Sequence, residues 1–157
     1  MALRYRNQKQ KRTATYILID DGFDELEVIY FLHKFRRAGL PIKSVSLFNT
    51  LVFSRQGVGL KADYQLADHP IDPSQDCLLV LPTGGRNGDM LRRDARIKSL
   101  LCDFTKGNGR IAITNADTPL AQDVFQLMQN RPTYQPQINQ DLNDFIDTLT
   151  HRVVPVT

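Results

Sequence analysis

The sequence predicts an α/β fold: a mostly parallel β-sheet with helices packed on both faces, three layers in all. Three observations predict it. Short apolar runs of strand character alternate with longer amphipathic runs. The strand-like runs "YILI" and "CLLVL" are apolar without interruption, as parallel strands covered on both faces must be. The length, 157 residues, suits one domain with a single sizeable core.

Taken in order, "TYILID" (15–20) is a buried strand ending in acids. "DELEVIYFLHKFRRAG" (24–39) is a helix with Leu26, Ile29, Tyr30, Leu32 and Phe35 at helical spacing. Acids crowd its first turn, cations its last, and Gly39 stops it. "IKSVSLF" (42–48) alternates as a second strand, and "LVFSRQGVGLKADYQLAD" (51–68) is a hairpin-like excursion around two glycines. "DCLLVLPTGG" (76–85) is the most apolar strand, stopped by Pro82 and a glycine pair. "GDMLRRDARIKSLLCDFTKG" (88–107) is an amphipathic helix with Leu91, Ile97, Leu100, Leu101 and Phe104 inward. "RIAIT" (110–114) is a strand, and "PLAQDVFQLMQN" (119–130) is a helix entered at Pro119. "RPTYQPQ" (131–137) breaks the pattern, and "INQDLNDFIDTLTH" (138–151) closes with Ile138, Leu142, Phe145, Ile146 and Leu149 on one helical face.

The net charge of +3 is local. Residues 1–12 hold five cations and no acid, leaving 15 basic against 17 acidic residues in the rest. We expect residues 1–13 to be a basic, disordered tail and residues 14–157 to form a single domain. The slightly acidic body argues against nucleic acid as a partner, apart from the tail. No apolar run is long enough to span a bilayer, and no apolar segment near the N-terminus suggests a secretory signal. Cys77 and Cys102 lack metal-site spacing and read as free, buried thiols of a reducing cytoplasm. No cofactor or metal site is expected.

Right-handed crossovers carry all strand C-terminal ends to one sheet edge, where ligand sites of α/β folds form. Three segments arrive there: Asp20–Glu27, Leu81–Gly88 and Thr114–Pro119. "YILIDD" resembles the first strand of receiver domains. However, "CLLVLP" ends in leucine and proline where such a domain needs its acceptor aspartate, so Asp20 and Asp21 read as strand-end polar residues.

A broader resemblance covers roughly residues 15–125. The succession "ILIDDGFDELEVIYFLHKFRRAGL", "SRQGVGLKADYQLAD", "CLLVLPTGG" and "GNGRIAITNADTPLA" resembles the DJ-1/PfpI (ThiJ) superfamily. The resemblance implies a flavodoxin-like three-layer sandwich of the class I glutamine amidotransferase type. It also implies a pocket glutamate at Glu27, a glycine loop at Gly84 and Gly85 with Thr83 as an extra residue, and a strand-to-helix elbow. The family's cysteine position falls on Asn115, with Ala116 after it, and Asp117 and Thr118 depart from the family pattern. An amide nitrogen is a poor nucleophile, although asparagine tolerates the φ > 0 of a strained elbow.

The implied ligand-binding set is Glu27, Gly84, Gly85, Arg86, Asn115, Ala116 and Asp117, with backbone donors from Gly85 and Ala116 and an Asn115–Glu27 hydrogen bond. Arg55 and Arg86 are candidate anion contacts beside the plainer reading as surface arginines. On residues alone, Glu27 also reads as a solvated acid complementing the helix dipole. Thr114 reads as pointing into the sheet packing and Asp117 as a helix N-cap. His33, His69 and His151 read as structural or solvated. Three functions follow: a small-ligand-binding or interaction module without cysteine catalysis, an enzyme using Glu27 and water (peptidase, amidase, glyoxalase or hydratase type), or a structural homodimer joined through the first helix.

Overall fold

The computed structural model describes residues 13–153, so the expectation for residues 1–12 lies outside it. Thr13 is buried and its hydroxyl donates to Asp76 Oδ2 at 3.2 Å. Six strands form one sheet: β1 (Ala14–Ile19), β2 (Ile42–Ser46), β5 (Tyr64–Gln65), β6 (Cys77–Leu81), β7 (Arg110–Ile113) and β8 (Thr133–Tyr134). Their order is β5-β2-β1-β6-β7-β8, and every neighbouring pair is parallel. The strands β3 (Leu51–Phe53) and β4 (Gly59–Lys61) form a separate antiparallel hairpin, the expected excursion. Chain order runs outward from β1 to β2 and then resumes on its other side at β6. The switch point of the sheet therefore lies between β1 and β6.

Side-chain alternation along the central strands divides the core into two layers. Ile17, Ile19, Val80 and Ala112 pack against α1 (Glu25–Arg37) and α5 (Leu142–Val153). Leu18, Leu79, Leu81, Ile111 and Ile113 pack against α2 (Asn87–Arg93), α3 (Ala95–Phe104) and α4 (Pro119–Leu127). The predicted class, a mostly parallel three-layer α/β sandwich, is the observed one.

Several local expectations are corrected. The buried stripe of α1 is Val28, Phe31, Leu32 and Phe35, while Leu26, Ile29 and Tyr30 are exposed. The run "VIYFL" is apolar all round and admits two stripes. The buried Phe23 selects one by sharing a core cluster with Val28, an N′–N4 hydrophobic staple across the Asp24 N-cap. The segment 88–107 is two helices, not one. Asp94 takes an extended conformation between α2 and α3, and its carboxylate accepts from Arg96 N–H at 2.8 Å. Cys102 is exposed, whereas Cys77 is buried. Ile138 lies outside α5 and is 93% exposed. Within "RPTYQPQ", Thr133 and Tyr134 form the edge strand β8, paired with Ile111 and Ala112.

Candidate functional site

The loops after β1 and β6 meet at the switch point, and glycines allow them to touch. Gly22 (φ 89°) and Gly85 (φ 61°) both hold the left-handed backbone that favours glycine. A Cβ on Gly85 would lie 2.2 Å from the Gly22 carbonyl oxygen. That same oxygen accepts from Arg86 N–H at 2.8 Å. The hairpin closes the other side, with Gly22 N–H donating to Phe53 O (2.8 Å) and Arg55 N–H donating to Phe23 O (2.9 Å). These contacts fix where α1 begins.

Asp24 caps α1, accepting from Leu26 N–H at 2.9 Å, which makes Glu27 the third helical residue. The pattern Asp-x-x-Glu is a capping box, in which the glutamate ordinarily returns to the cap's own N–H. Here Glu27 Oε1 instead accepts from Gly84 N–H at 2.9 Å, across the switch point. The half-buried carboxyl is pushed above its usual pKa, first by desolvation, with Asp24 adding repulsion. The Gly84 N–H, the Thr114 hydroxyl and Arg55 act in the opposite direction. Arg55 also pairs with Asp24 at 3.4 Å, so it stands at the rim of the site.

Thr114 corrects one expectation: it faces this site. Ile111 and Ile113 point to the α2–α4 layer and Ala112 to the α1 layer, so Thr114, two residues after Ala112, falls on the α1 side. Period-two counting along β7 would have found it. It is buried, its hydroxyl acts to lower the Glu27 pKa, and that hydroxyl accepts from Thr83 N–H at 2.9 Å. The two threonine hydroxyls lie 3.0 Å apart, and either can donate.

The other elbow residues turn outward. Asn115 is exposed, and its Oδ1 accepts from Asp117 N–H at 2.9 Å, an Asx turn. It is not in the left-handed region: Asn139 (φ 66°) is the one non-glycine residue with positive φ among those described. The expected strained elbow and Asn115–Glu27 hydrogen bond are therefore absent: an ordinary turn holds Asn115, and Glu27 bonds Gly84 N–H instead. Thr118, rather than Asp117, caps α4, accepting from Ala121 N–H at 3.2 Å ahead of Pro119. Ala116 O accepts from Gln122 Nε2 at 3.2 Å. Arg86 is exposed, with the start of its side chain lying over Gly22. Of the anticipated set, the fold thus brings Glu27 and Gly84 into contact, seats Gly85 and Arg86 against Gly22, and places Asn115, Ala116 and Asp117 in a surface-facing turn.

Asn87 is a buried residue that sequence reading missed. Its Nδ2 donates to Leu18 O (3.1 Å) and Pro82 O (2.8 Å), and its Oδ1 accepts from Asp20 N–H (2.7 Å). It ties the ends of β1 and β6 together beneath the site. Asp20 is itself buried, and desolvation raises its pKa. Neither cysteine reaches this edge. Cys77 opens β6 at the strand's opposite end, where burial pushes its thiol up to about 11, and Cys102 lies on α3.

His69 stacks on Tyr64 with ring centroids 4.0 Å apart, while His33 and His151 are exposed. Among the described residues no group of three or more His, Cys, Asp or Glu is arranged to hold a metal ion, and no helix is long and apolar enough to cross a membrane. A groove of about 710 Å³ lies between α2, α3 and α4, floored by Leu91, Ile97, Leu101 and Leu120 and crossed by the Arg92–Asp123 ion pair; Glu27 does not line it.

Comparison with known proteins places this architecture. The chain is similar to a deglycase of Thermococcus kodakarensis, with 36% identity over 76 residues. That match spans 48% of this chain and 44% of the deglycase, under half of its length. The fold is similar to Schizosaccharomyces pombe DJ-1 (TM-score 0.69, 20% identity, 91% of this chain and 93% of that one). It is likewise similar to oxidized Toxoplasma gondii DJ-1 (TM-score 0.71, 15% identity, 90% of both chains). The DJ-1/PfpI family model matches residues 13–155, nearly the whole sequence. With the parallel sheet, the glycine-locked switch point and this match together, the chain belongs to the DJ-1/PfpI family.

Proposed function

We propose that the chain binds a small polar ligand, of the carbonyl class, at Glu27 and performs no cysteine-dependent chemistry there. The observation that carries this reading is the setting of Glu27 itself. Its carboxyl is held by Gly84 N–H, and desolvation keeps its proton to higher pH than usual. When protonated, a carboxyl there donates a hydrogen bond to a carbonyl oxygen. Among the described residues neither cysteine reaches Glu27, and Cys77, with its raised pKa, is a poor thiolate source. The two free cysteines also fit a reducing compartment, and we assign the protein to the cytoplasm on that ground.

The test is a titration of isotope-labelled protein with methylglyoxal, followed by NMR. Saturable shifts at Gly84 and Thr114, lost in Glu27→Gln, with no product formed, are the expected result. Absence of shifts overturns the binding reading.

A second reading makes the site an enzyme in which Glu27 activates water. The relative named a deglycase favours it, as does a carboxyl whose pKa is raised by burial. Glu27-dependent turnover in the same samples would select it. Homodimerisation is a separate proposal, supported by Leu26, Ile29 and Tyr30 exposed on α1 beside Leu51 and Phe53 exposed on the adjoining hairpin.

A further inference from the structure

We propose that the groove between α2, α3 and α4 is a second binding site, separate from Glu27, for a small anionic amphiphile. Its apolar body lies along the leucine floor, and its one carboxylate is held by Arg93 and Lys98.

The walls of the groove supply the first part of the argument. A volume of about 710 Å³ falls among those of small-molecule sites, about 300–1,000 Å³. Leu91 of α2, Ile97 and Leu101 of α3 and Leu120 of α4 make a floor continuous with the core layer that packs on Leu79 and Leu81. Leu127 stands on the α4 wall, 37% exposed, an apolar side chain that the chain's own packing leaves in water. Arg93 lines the groove from the end of α2 and Lys98 from near the start of α3. Side chains of this kind lay their methylene stems on apolar surface and keep the charge at the water boundary. An amphiphile has the same division between body and head.

Uncompensated charge supplies the second part. Arg92, Arg93 and Lys98 line the groove together with Asp89 and Asp123. Arg92 engages both oxygens of Asp123, with Nε donating to Oδ2 at 2.6 Å and Nη2 to Oδ1 at 3.4 Å. Asp94, between α2 and α3, is taken by the Arg96 guanidinium at 2.9 and 3.2 Å. Among the described residues, Arg93 and Lys98 have no acid within ion-pair distance. Two exposed cations from two helices therefore border an apolar groove without a counter-charge, and a ligand carboxylate supplies it. The Arg92–Asp123 pair that crosses the floor is partly exposed on both sides, so water weakens it and it parts readily to admit an alkyl chain.

The experiment is a titration of methyl-labelled protein with sodium octanoate, followed by NMR, with 1-octanol as the uncharged control. Saturable shifts at Ile97, Leu101 and Leu127 are expected, with octanol binding roughly tenfold more weakly. Arg93→Glu combined with Lys98→Glu is expected to weaken octanoate by at least as much and to leave octanol unchanged. Glu27→Gln is expected to bind octanoate like wild type, which separates this site from the one proposed at Glu27. Absence of saturable shifts, equal affinity for octanoate and octanol, or wild-type affinity in the double variant overturns the proposal. So do octanoate shifts centred on Leu26 and Tyr30, or shifts of the groove methyls with protein concentration alone, which would mark a second copy of the chain as the occupant. If the double glutamate variant fails to fold, Arg93→Gln combined with Lys98→Gln is read by the same criteria.

Discussion

Gly84 N–H donates to Glu27 Oε1 at 2.9 Å, and a Cβ built on Gly84 would lie 2.6 Å from that same oxygen. The donor and the missing side chain thus serve one contact. Gly84 is not among the glycines with positive φ, so an added methyl is opposed by the carboxyl and by Asp24 Cβ rather than by backbone strain. Gly84→Ala is therefore expected to fold and to push Glu27 off its donor. Loss of that hydrogen bond at a partly buried carboxyl costs about 1–3 kcal/mol. Calorimetric unfolding together with the methylglyoxal titration checks it, and unaltered binding by a folded Gly84→Ala protein contradicts the proposed site.

Gly85→Ala should behave differently. Its φ of 61° is left-handed, and its Cβ would meet the Gly22 carbonyl at 2.2 Å, a backbone atom with no rotamer to escape into. Destabilisation of more than about 2 kcal/mol is expected, with the two loops forced apart. A thermal midpoint close to wild type would contradict the interlocked loops.

The pH dependence of stability carries the signature of Glu27. The folded state holds the Glu27 proton to higher pH than the unfolded chain does, because burial raises its pKa. Between the ordinary carboxylate pKa and the raised one, the folded chain binds more protons. Stability is thus full below that window and falls as pH rises through it. Asp20, raised by the same cause, contributes in the same sense. Glu27→Gln is expected to flatten part of this slope and to be relatively more stable at neutral pH than at pH 4. Denaturant unfolding across pH 4–8 in both proteins measures the difference, and parallel curves would contradict it.

How much of this was legible in the residues divides along physical lines. Strand positions were readable because uninterrupted apolar runs such as "CLLVL" suit parallel strands covered on both faces. The Asp24 cap and the Gly39 stop of α1 were readable because both are local chemistry. The rotation of α1 was not, since "VIYFL" is apolar on every side and only tertiary packing, which buries Val28, Phe31, Leu32 and Phe35 in one core cluster with Phe23, selects the buried stripe. Glu27 stands out only through a family register, and its bond to Gly84 N–H depends on the packed loops, while the face of Thr114 is specified by alternation along β7. Asn87 left no sequence signal: its three partners, on Asp20, Leu18 and Pro82, become neighbours only when β1 and β6 pair.

Asn87 accordingly yields a strong prediction. It is wholly buried, and its amide satisfies two carbonyls and one N–H that otherwise have no water to turn to. Asn87→Leu keeps the volume but leaves all three groups to find other partners. We expect a loss of about 2–4 kcal/mol, well above the cost of an exposed polar substitution. A loss below about 1 kcal/mol in urea unfolding would mean that these bonds do not secure the switch point.

Cysteine reactivity separates the two thiols. Burial raises Cys77 to about 11, so roughly one thiol in ten thousand is ionised at pH 7, and the thiolate is the reactive form. Cys102 is exposed on α3 and open to reagent. Brief treatment with iodoacetamide or dilute peroxide at neutral pH should modify Cys102 and spare Cys77, as read by peptide mass spectrometry. Cys102→Ser should then leave a folded protein almost inert to both reagents. Rapid modification of Cys77 in that variant would show that the start of β6 opens readily, and would return a cysteine to the chemistry of this chain.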